Sequence, residues 1–220
     1  KIIKEITIAA RIGGGKIDLS IYADGALSYS SSIPIGARHI SNDIAVGLRV
    51  SLDSAEKIKI FLSKSLKEKK KTPQINLNEL DLPENISEVS LKTLVDDIIA
   101  PRLEEIFKLI FEEIEKSGFG EQIPSGLVIT GGGALTIGML ETGKRVVGLP
   151  IRLGYPEKVS GLVDEIIDPQ YATTVGLLLY GQNNNLVDKD NFKNFGRILK
   201  DFKLGNSFGK LKDFIKQFIP

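Results

Sequence analysis

Two clusters of three glycines are the residues in this chain best suited to holding a ligand. The first lies in Arg11-Ile12-Gly13-Gly14-Gly15-Lys16-Ile17-Asp18, between the apolar run Ile6-Thr7-Ile8-Ala9-Ala10 and the alternating run Leu19 to Tyr22. Without Cβ atoms the backbone turns tightly and lets a ligand come close. Successive amides in such a turn can converge on an anion. Arg11 and Lys16 add positive charge, and Asp18, just past the turn, is expected to face the same cleft. The bland alternative is a glycine-rich hairpin that holds nothing. The second cluster, Gly126-Leu127-Val128-Ile129-Thr130-Gly131-Gly132-Gly133-Ala134, runs from a buried strand toward a helical stretch, which predicts added helix N-terminal polarity. Neither cluster continues into Gly-Lys-Ser/Thr, and neither is a dinucleotide G-x-G-x-x-G. One such cluster is a weak signal. Two, at the same end of a sheet with a subdomain between them, form a more specific one.

The elements that must position these loops follow in chain order. Strands are expected at Ile6–Ala10, Ile17–Tyr22 and Ala26–Ile33, with Asp24-Gly25 as the hairpin turn. The links are too short for crossovers, so this meander is antiparallel. A helix is expected from Ala37 to Gly47, with Ile40, Ile44 and Val46 inward, and a second from Ala55 to about Leu66, capped from Ser51-Leu52-Asp53-Ser54. The charge run Lys67-Glu68-Lys69-Lys70-Lys71 has no interleaved aromatic and reads as a solvated loop. Short strand-like pieces, Gln74–Leu77 and Ile86–Val89, follow. A long helix then runs from Leu91 to about Ser117 with Pro101 inside it, which predicts a kink or a break. After the second glycine cluster come a helical stretch, Thr136 to Val147, and a strand around Ile151. Asp168-Pro169 opens a helix with Gly181 beyond its end, and small residues Ala172 and Gly176 suggest a close packing contact.

Composition bounds the chemistry. The 220 residues are 42% hydrophobic and 26% charged, enough for a real core, and the net charge of +1 gives no electrostatic case for nucleic acid. With no Cys and one His, disulfides, thiol chemistry and a soft metal site all lack their residues. His39 has no catalytic partner in sequence and reads as structural. The carboxylate pairs Asp96-Asp97, Glu104-Glu105 and Glu112-Glu113 read as the solvated face of the long helix. No apolar run approaches the roughly 20 residues of a transmembrane helix. The opening Lys1 sits in a strand approach, so the chain reads as a fragment or processed chain lacking an N-terminal part.

Taken together, the order glycine loop, meander, helical insert, long helix, Thr-Gly-Gly-Gly-Ala, Asp-Pro helix resembles the second half of the actin-like ATPase fold. Within it the sequence resembles the FtsA family of bacterial division proteins. The residues carrying the resemblance are Ile33-Pro34-Ile35-Gly36 with His39-Ile40-Ser41-Asn42-Asp43-Ile44-Ala45, Ile98-Ile99-Ala100-Pro101-Arg102, Val128 to Ala134, Ile151-Arg152-Leu153-Gly154 and Tyr171-Ala172-Thr173-Thr174-Val175-Gly176-Leu177-Leu178. The fold class it implies is α/β: an actin-like (ribonuclease-H-like) second half with an inserted small α/β subdomain and a C-terminal amphipathic helix. The implied organisation is a core at 1–40 and 91–182, an insert at 41–90, a linker at 183–206 and the helix at 207–220.

By the same resemblance, Gly13, Gly14 and Gly15, with Lys16 beside them, match a phosphate loop. Gly131, Gly132, Gly133 and Ala134 match an adenosine loop, and Glu56 and Lys59 match a ribose- and base-contacting helix. For that pair the residues alone also allow an exposed surface face. The implied cofactor is ATP, with or without magnesium. The implied role is a scaffold that self-assembles and tethers the FtsZ polymer, with other division proteins, to anionic lipid on the cytoplasmic face of the membrane at the septum. Alternatives are an active ATPase of the sugar-kinase or chaperone type and a pilus-assembly docking protein. Two departures matter: Arg11 stands where the family usually has Asp, and Lys16-Ile17 where it has Thr-Thr. The first removes a metal-organising charge, so phosphate binding without efficient hydrolysis is expected.

The tail carries its own signal. Phe208, Leu211, Phe214, Ile215, Phe218 and Ile219 repeat at helical spacing, with Lys210, Lys212 and Lys216 off that face. At about 1.5 Å per residue, a helix over 208–219 is roughly 18 Å long, too short to span a bilayer but suited to lying in its interface. The alternative is a helix docked on its own domain or in a partner groove.

Overall fold

The computed structural model describes residues 5–65, 73–120, 126–157 and 166–183. The charge run at 67–71, the expected linker from 184 onward and the amphipathic tail lie outside the described residues, while Asn183, expected to open the linker, ends a helix. The described residues up to Tyr155, together with Asp168–Ala172, form one compact unit. Those between Pro156 and Ile167 and from Thr173 onward belong to a second.

The first unit is built on a five-stranded sheet of β1 (Ile6–Ile12), β2 (Ile17–Ala23), β3 (Ala26–Ile33), β6 (Leu127–Thr130) and β7 (Ile151–Leu153), in the order β3-β2-β1-β6-β7. The meander pairs antiparallel, while β6 runs parallel to both β1 and β7. Strand alternation sorts the side chains. Ile8, Ala10, Ile12, Ile17, Leu19 and Ile21 are buried on one face, and Thr7, Ala9, Arg11, Asp18 and Ser20 take the other.

Helix α1 (Ala37–Leu48) and helix α2 (Leu52–Ser65) follow β3. Ile40 and Ile44 are buried one helical turn apart. Val46 is 80% exposed, because two further residues carry it round to the opposite side. His39 closes the start of α1: its Nδ1 accepts from the Gly36 amide at 3.2 Å. Strands β4 (Gln74–Asn76) and β5 (Glu88–Ser90) form a small antiparallel sheet; its Ile75, and Leu77 just past β4, join the same contiguous core. The segment between these strands is tied to the start of α2 by Glu84, which accepts from the Ser51 amide and the Ser54 hydroxyl, both at 2.7 Å.

Pro101 produces neither a break nor a simple kink. Residues Thr93–Ile99 form a π-helical stretch, closed by the Ala100 amide donating to Val95 O, and α3 (Ala100–Lys116) starts with Pro101 in its first turn. The missing proline N–H falls where a donor is dispensable, and the widened turn before it accommodates the ring. Leu103, Ile106, Phe107, Ile110 and Ile114 bury the inner stripe of α3. Its outer carboxylates are not simply solvated. Glu113 accepts from Tyr29 Oη and Ser31 Oγ, both at 2.6 Å, and so fastens α3 to the edge strand β3. Glu104 pairs with Arg145 of α4 (Met139–Val147) at 2.7 Å.

Helix α5 (Ala172–Asn183), which from Thr173 onward belongs to the second unit, runs on past Gly181 rather than stopping before it. Gly176 faces open space, so the close contact its size suggested is absent among the described residues.

Candidate functional site: a cleft between two glycine loops

The end of β1 brings the two glycine loops together. β1 and β6 are parallel neighbours, with Arg11 beside Thr130, so both chains leave the sheet at the same edge. The glycines divide into two kinds. A Cβ on Gly131, at φ +88°, would lie 2.5 Å from Ile12 O, and one on Gly36 would lie 2.6 Å from both Gly13 O and Gly14 O; these glycines exist so that backbones can touch. A Cβ on Gly14 or Gly15 would meet nothing within 4 Å. The Gly14 and Gly15 amides donate to no atom of the described residues.

The first loop is braced by α1. Ala37 N donates to Gly13 O at 2.9 Å and Arg38 N to Gly14 O at 2.8 Å, so loop carbonyls take up the first free amides of that helix. The second loop is braced by the turn at 168–171: Gly131 N donates to Pro169 O at 3.0 Å, and Asp168 Oδ1 caps the turn by accepting from Gln170 N at 2.9 Å. Gly132–Leu135 form a single 3-10 turn, and α4 begins only after Gly138. The expected helix N-terminal polarity at this loop is therefore confined to that one turn.

A cavity of about 740 Å³ opens between the loops, within the range of small-molecule sites. Gly14, Glu56, Lys59, Gly132 and Gly133 line it; Gly13, Gly15, Lys16, Gly131 and Ala134 do not. Arg38, Asp53, Ser63, Thr136, Asp168 and Gln170 also line it and were missed from sequence. Asp168 reads in sequence only as a helix start, and nothing there singles out Gln170. Arg38, directly after Gly36-Ala37 at the mouth of α1, is marked in sequence only by its position.

One wall holds a buried ionic network. Lys59 is 6% exposed, which excludes the surface-face alternative for it. Its ammonium donates to Glu56 Oε2 at 2.7 Å, Ser41 Oγ at 2.9 Å and Ala37 O at 3.2 Å, using all three protons. Ser41 Oγ donates in turn to Glu56 Oε2. Burial works against the Glu56 carboxylate, but Lys59, Ser41 and, at longer range, Arg38 outweigh it and hold its pKa below the usual range. The other carboxylate oxygen, Oε1, accepts from nothing among the described residues, and the Glu56 side chain is 44% exposed.

Asp18 does not line the cavity. Strand alternation puts it on the opposite sheet face from the core residues Ile17 and Leu19, directly across from Arg11. It accepts from Arg11 Nε at 2.9 Å, again from Arg11 Nη2, from Lys16 Nζ at 2.9 Å and from Ser32 Oγ at 3.0 Å. Partial burial raises its pKa, but Lys16 and Arg11 more than reverse that, and the net shift is downward. The Arg11–Asp18 pair offers no free carboxylate to the magnesium that the resemblance allows for. Position 11 is a cation, and Asp18 also accepts from Lys16 and Ser32.

The sheet order, the two glycine loops at one edge and the helical insert between them define the actin-like ATPase fold. MreB5 of Spiroplasma citri, solved bound to ADP, superposes with a TM-score of 0.61 at 21% identity over 87% of this chain and 56% of that one. Residues 10–176 match the family model described as cell division protein FtsA. The FtsA of Pseudomonas aeruginosa is 38% identical over 176 residues, and that of Neisseria meningitidis 35% identical over 174. This chain belongs to the FtsA family of cell division proteins. It spans about 40% of the length of these two curated relatives, which cover 77% and 76% of it.

Proposed function

We propose that this chain is the nucleotide-holding half of a division scaffold that binds ATP between Gly13–Gly15 and Gly131–Ala134. The observation that carries this reading is that Gly14 of one loop, Gly132 and Gly133 of the other, and Glu56 line one cavity. The free Gly14 and Gly15 amides suit phosphate, the thin backbone at Gly132 and Gly133 suits a flat purine, and Glu56 Oε1 suits a sugar hydroxyl. Hydrolysis is weak or absent, because Arg11 and Asp18 neutralise each other where a metal-organising carboxylate would be wanted.

In the same proposal residues 41–90 form the inserted subdomain that engages the FtsZ polymer, like copies and other division proteins complete the assembly, and 207–220 place it peripherally on anionic lipid at the septal membrane. No helix of the described residues is long and apolar enough to cross a membrane. Thermal unfolding of the full-length protein with and without ATP tests the site; an unchanged midpoint at saturating ATP would refute it. Liposome co-sedimentation of Phe214→Glu tests the tail, and undiminished binding would refute that part.

A further inference from the structure

The cations around the cleft are not equally available. Arg11 and Lys16, the two that sequence assigns to phosphate, are both bound to Asp18 and do not line the cavity. Lys59 lines it, but its three protons are spent on Glu56, Ser41 and Ala37 O. The first amides of α1, a natural anion site in an uncapped helix, are taken by Gly13 O and Gly14 O. Arg38 differs from all of these. It lines the cavity and is exposed, and its guanidinium makes no hydrogen bond or ion pair among the described residues. Its own backbone amide is fixed to Gly14 O at 2.8 Å, so the side chain starts beside the open Gly14 and Gly15 amides. Lys64 also lines the cavity unpaired, but no bond ties its backbone to the glycine loop.

We infer that Arg38 is the phosphate-binding cation of this site, closing over the polyphosphate of a nucleotide seated on the Gly14–Gly15 amides. A guanidinium is suited to this because its fork can meet two phosphate oxygens at once. The inference rests on the nucleotide reading above and assigns within it the residue that supplies the charge. It also accounts for how the loop can hold phosphate although its neighbouring cations are committed elsewhere.

The test is isothermal titration of the full-length protein with ATP, ADP and adenosine, for wild type, Arg38→Gln, Arg38→Lys, Lys16→Gln, Lys64→Gln and the remote control Lys108→Gln. Arg38→Gln is expected to weaken ATP and ADP at least tenfold and leave adenosine within twofold, with Arg38→Lys recovering part of the loss. The inference is overturned if Arg38→Gln binds ATP like wild type, if it loses adenosine as much as ATP, or if Lys16→Gln or Lys64→Gln carries the phosphate-specific loss instead. Failure of wild type to bind any of the three ligands would overturn the nucleotide reading itself and this inference with it.

Discussion

Replacing Lys59 by Met is the most informative single perturbation of this fold. Methionine keeps much of the aliphatic stem and removes the ammonium, so the change isolates the polar network from packing. Two of the lost bonds run from the ionised ammonium to Ala37 O and Ser41 Oγ and are worth about 1.5 kcal/mol each. The third goes to a carboxylate that is 44% exposed, so solvent screening holds that pair to about 1 kcal/mol. Against this, the variant no longer desolvates a charge at a site only 6% exposed, which offsets part of the loss. The net expectation is a destabilisation of about 2 kcal/mol, a fall in melting temperature of about 4–8 °C for a domain of this size. Urea unfolding followed by circular dichroism measures it. Because Ser41 shares the network, Ser41→Ala combined with Lys59→Met should cost about 1 kcal/mol less than the sum of the single changes. A single-variant loss below about 0.5 kcal/mol, or strict additivity in the double variant, would refute the claim that this network joins α1 to α2.

Two further predictions concern acid and glycine. The Ser51 amide, with the Ser54 hydroxyl second, lowers the Glu84 carboxyl from 4.5 to about 2. The stability it contributes is therefore full above about pH 4.5 and is lost as pH falls toward 2, so Glu84→Gln should flatten the acid limb of a denaturation-midpoint profile; an unchanged limb would show that the carboxylate does not hold the β4–β5 segment. Gly36→Ala drives a Cβ to 2.6 Å from two loop carbonyls and should cost about 1–3 kcal/mol in chemical denaturation, whereas Gly14→Ala meets nothing and should leave stability within about 0.5 kcal/mol while weakening nucleotide binding.

Much of the fold was legible because its signals are local. The Asp24-Gly25 hairpin, the alternation of β1 and β2 and the Asp168-Pro169 start each follow from a few adjacent residues. The errors arose where periodicity had to be extrapolated. Apolarity alone places Val46 inward, although its position two residues after Ile44 turns it outward. The π-helical stretch was invisible because Pro101 signals disruption without saying how the chain absorbs it. At the site, sequence placed the two loops and could not tell glycines that touch backbone, such as Gly36 and Gly131, from those with open space, Gly14 and Gly15. It also misjudged the charges. Which cation is spent and which is free depends on cross-strand partners, as with Arg11 and Asp18, and that pairing exists only once β1 and β2 are in register.

The π-helical stretch at Thr93–Ile99 acts as a phase adjuster. Leu94 and Ile99, both buried, are five residues apart, the interval of its hydrogen bonds, while the buried set from Leu103 onward follows α-helical spacing. One extra residue is thus absorbed between two apolar stripes that would otherwise point in different directions. The same offset sets the azimuth of Arg102, whose Nε and Nη2 reach Asp43 of α1 at 2.6 and 2.9 Å. The bulge therefore works as a splice: it joins a helical opening packed on β5 to a helix body packed on β3 and α4.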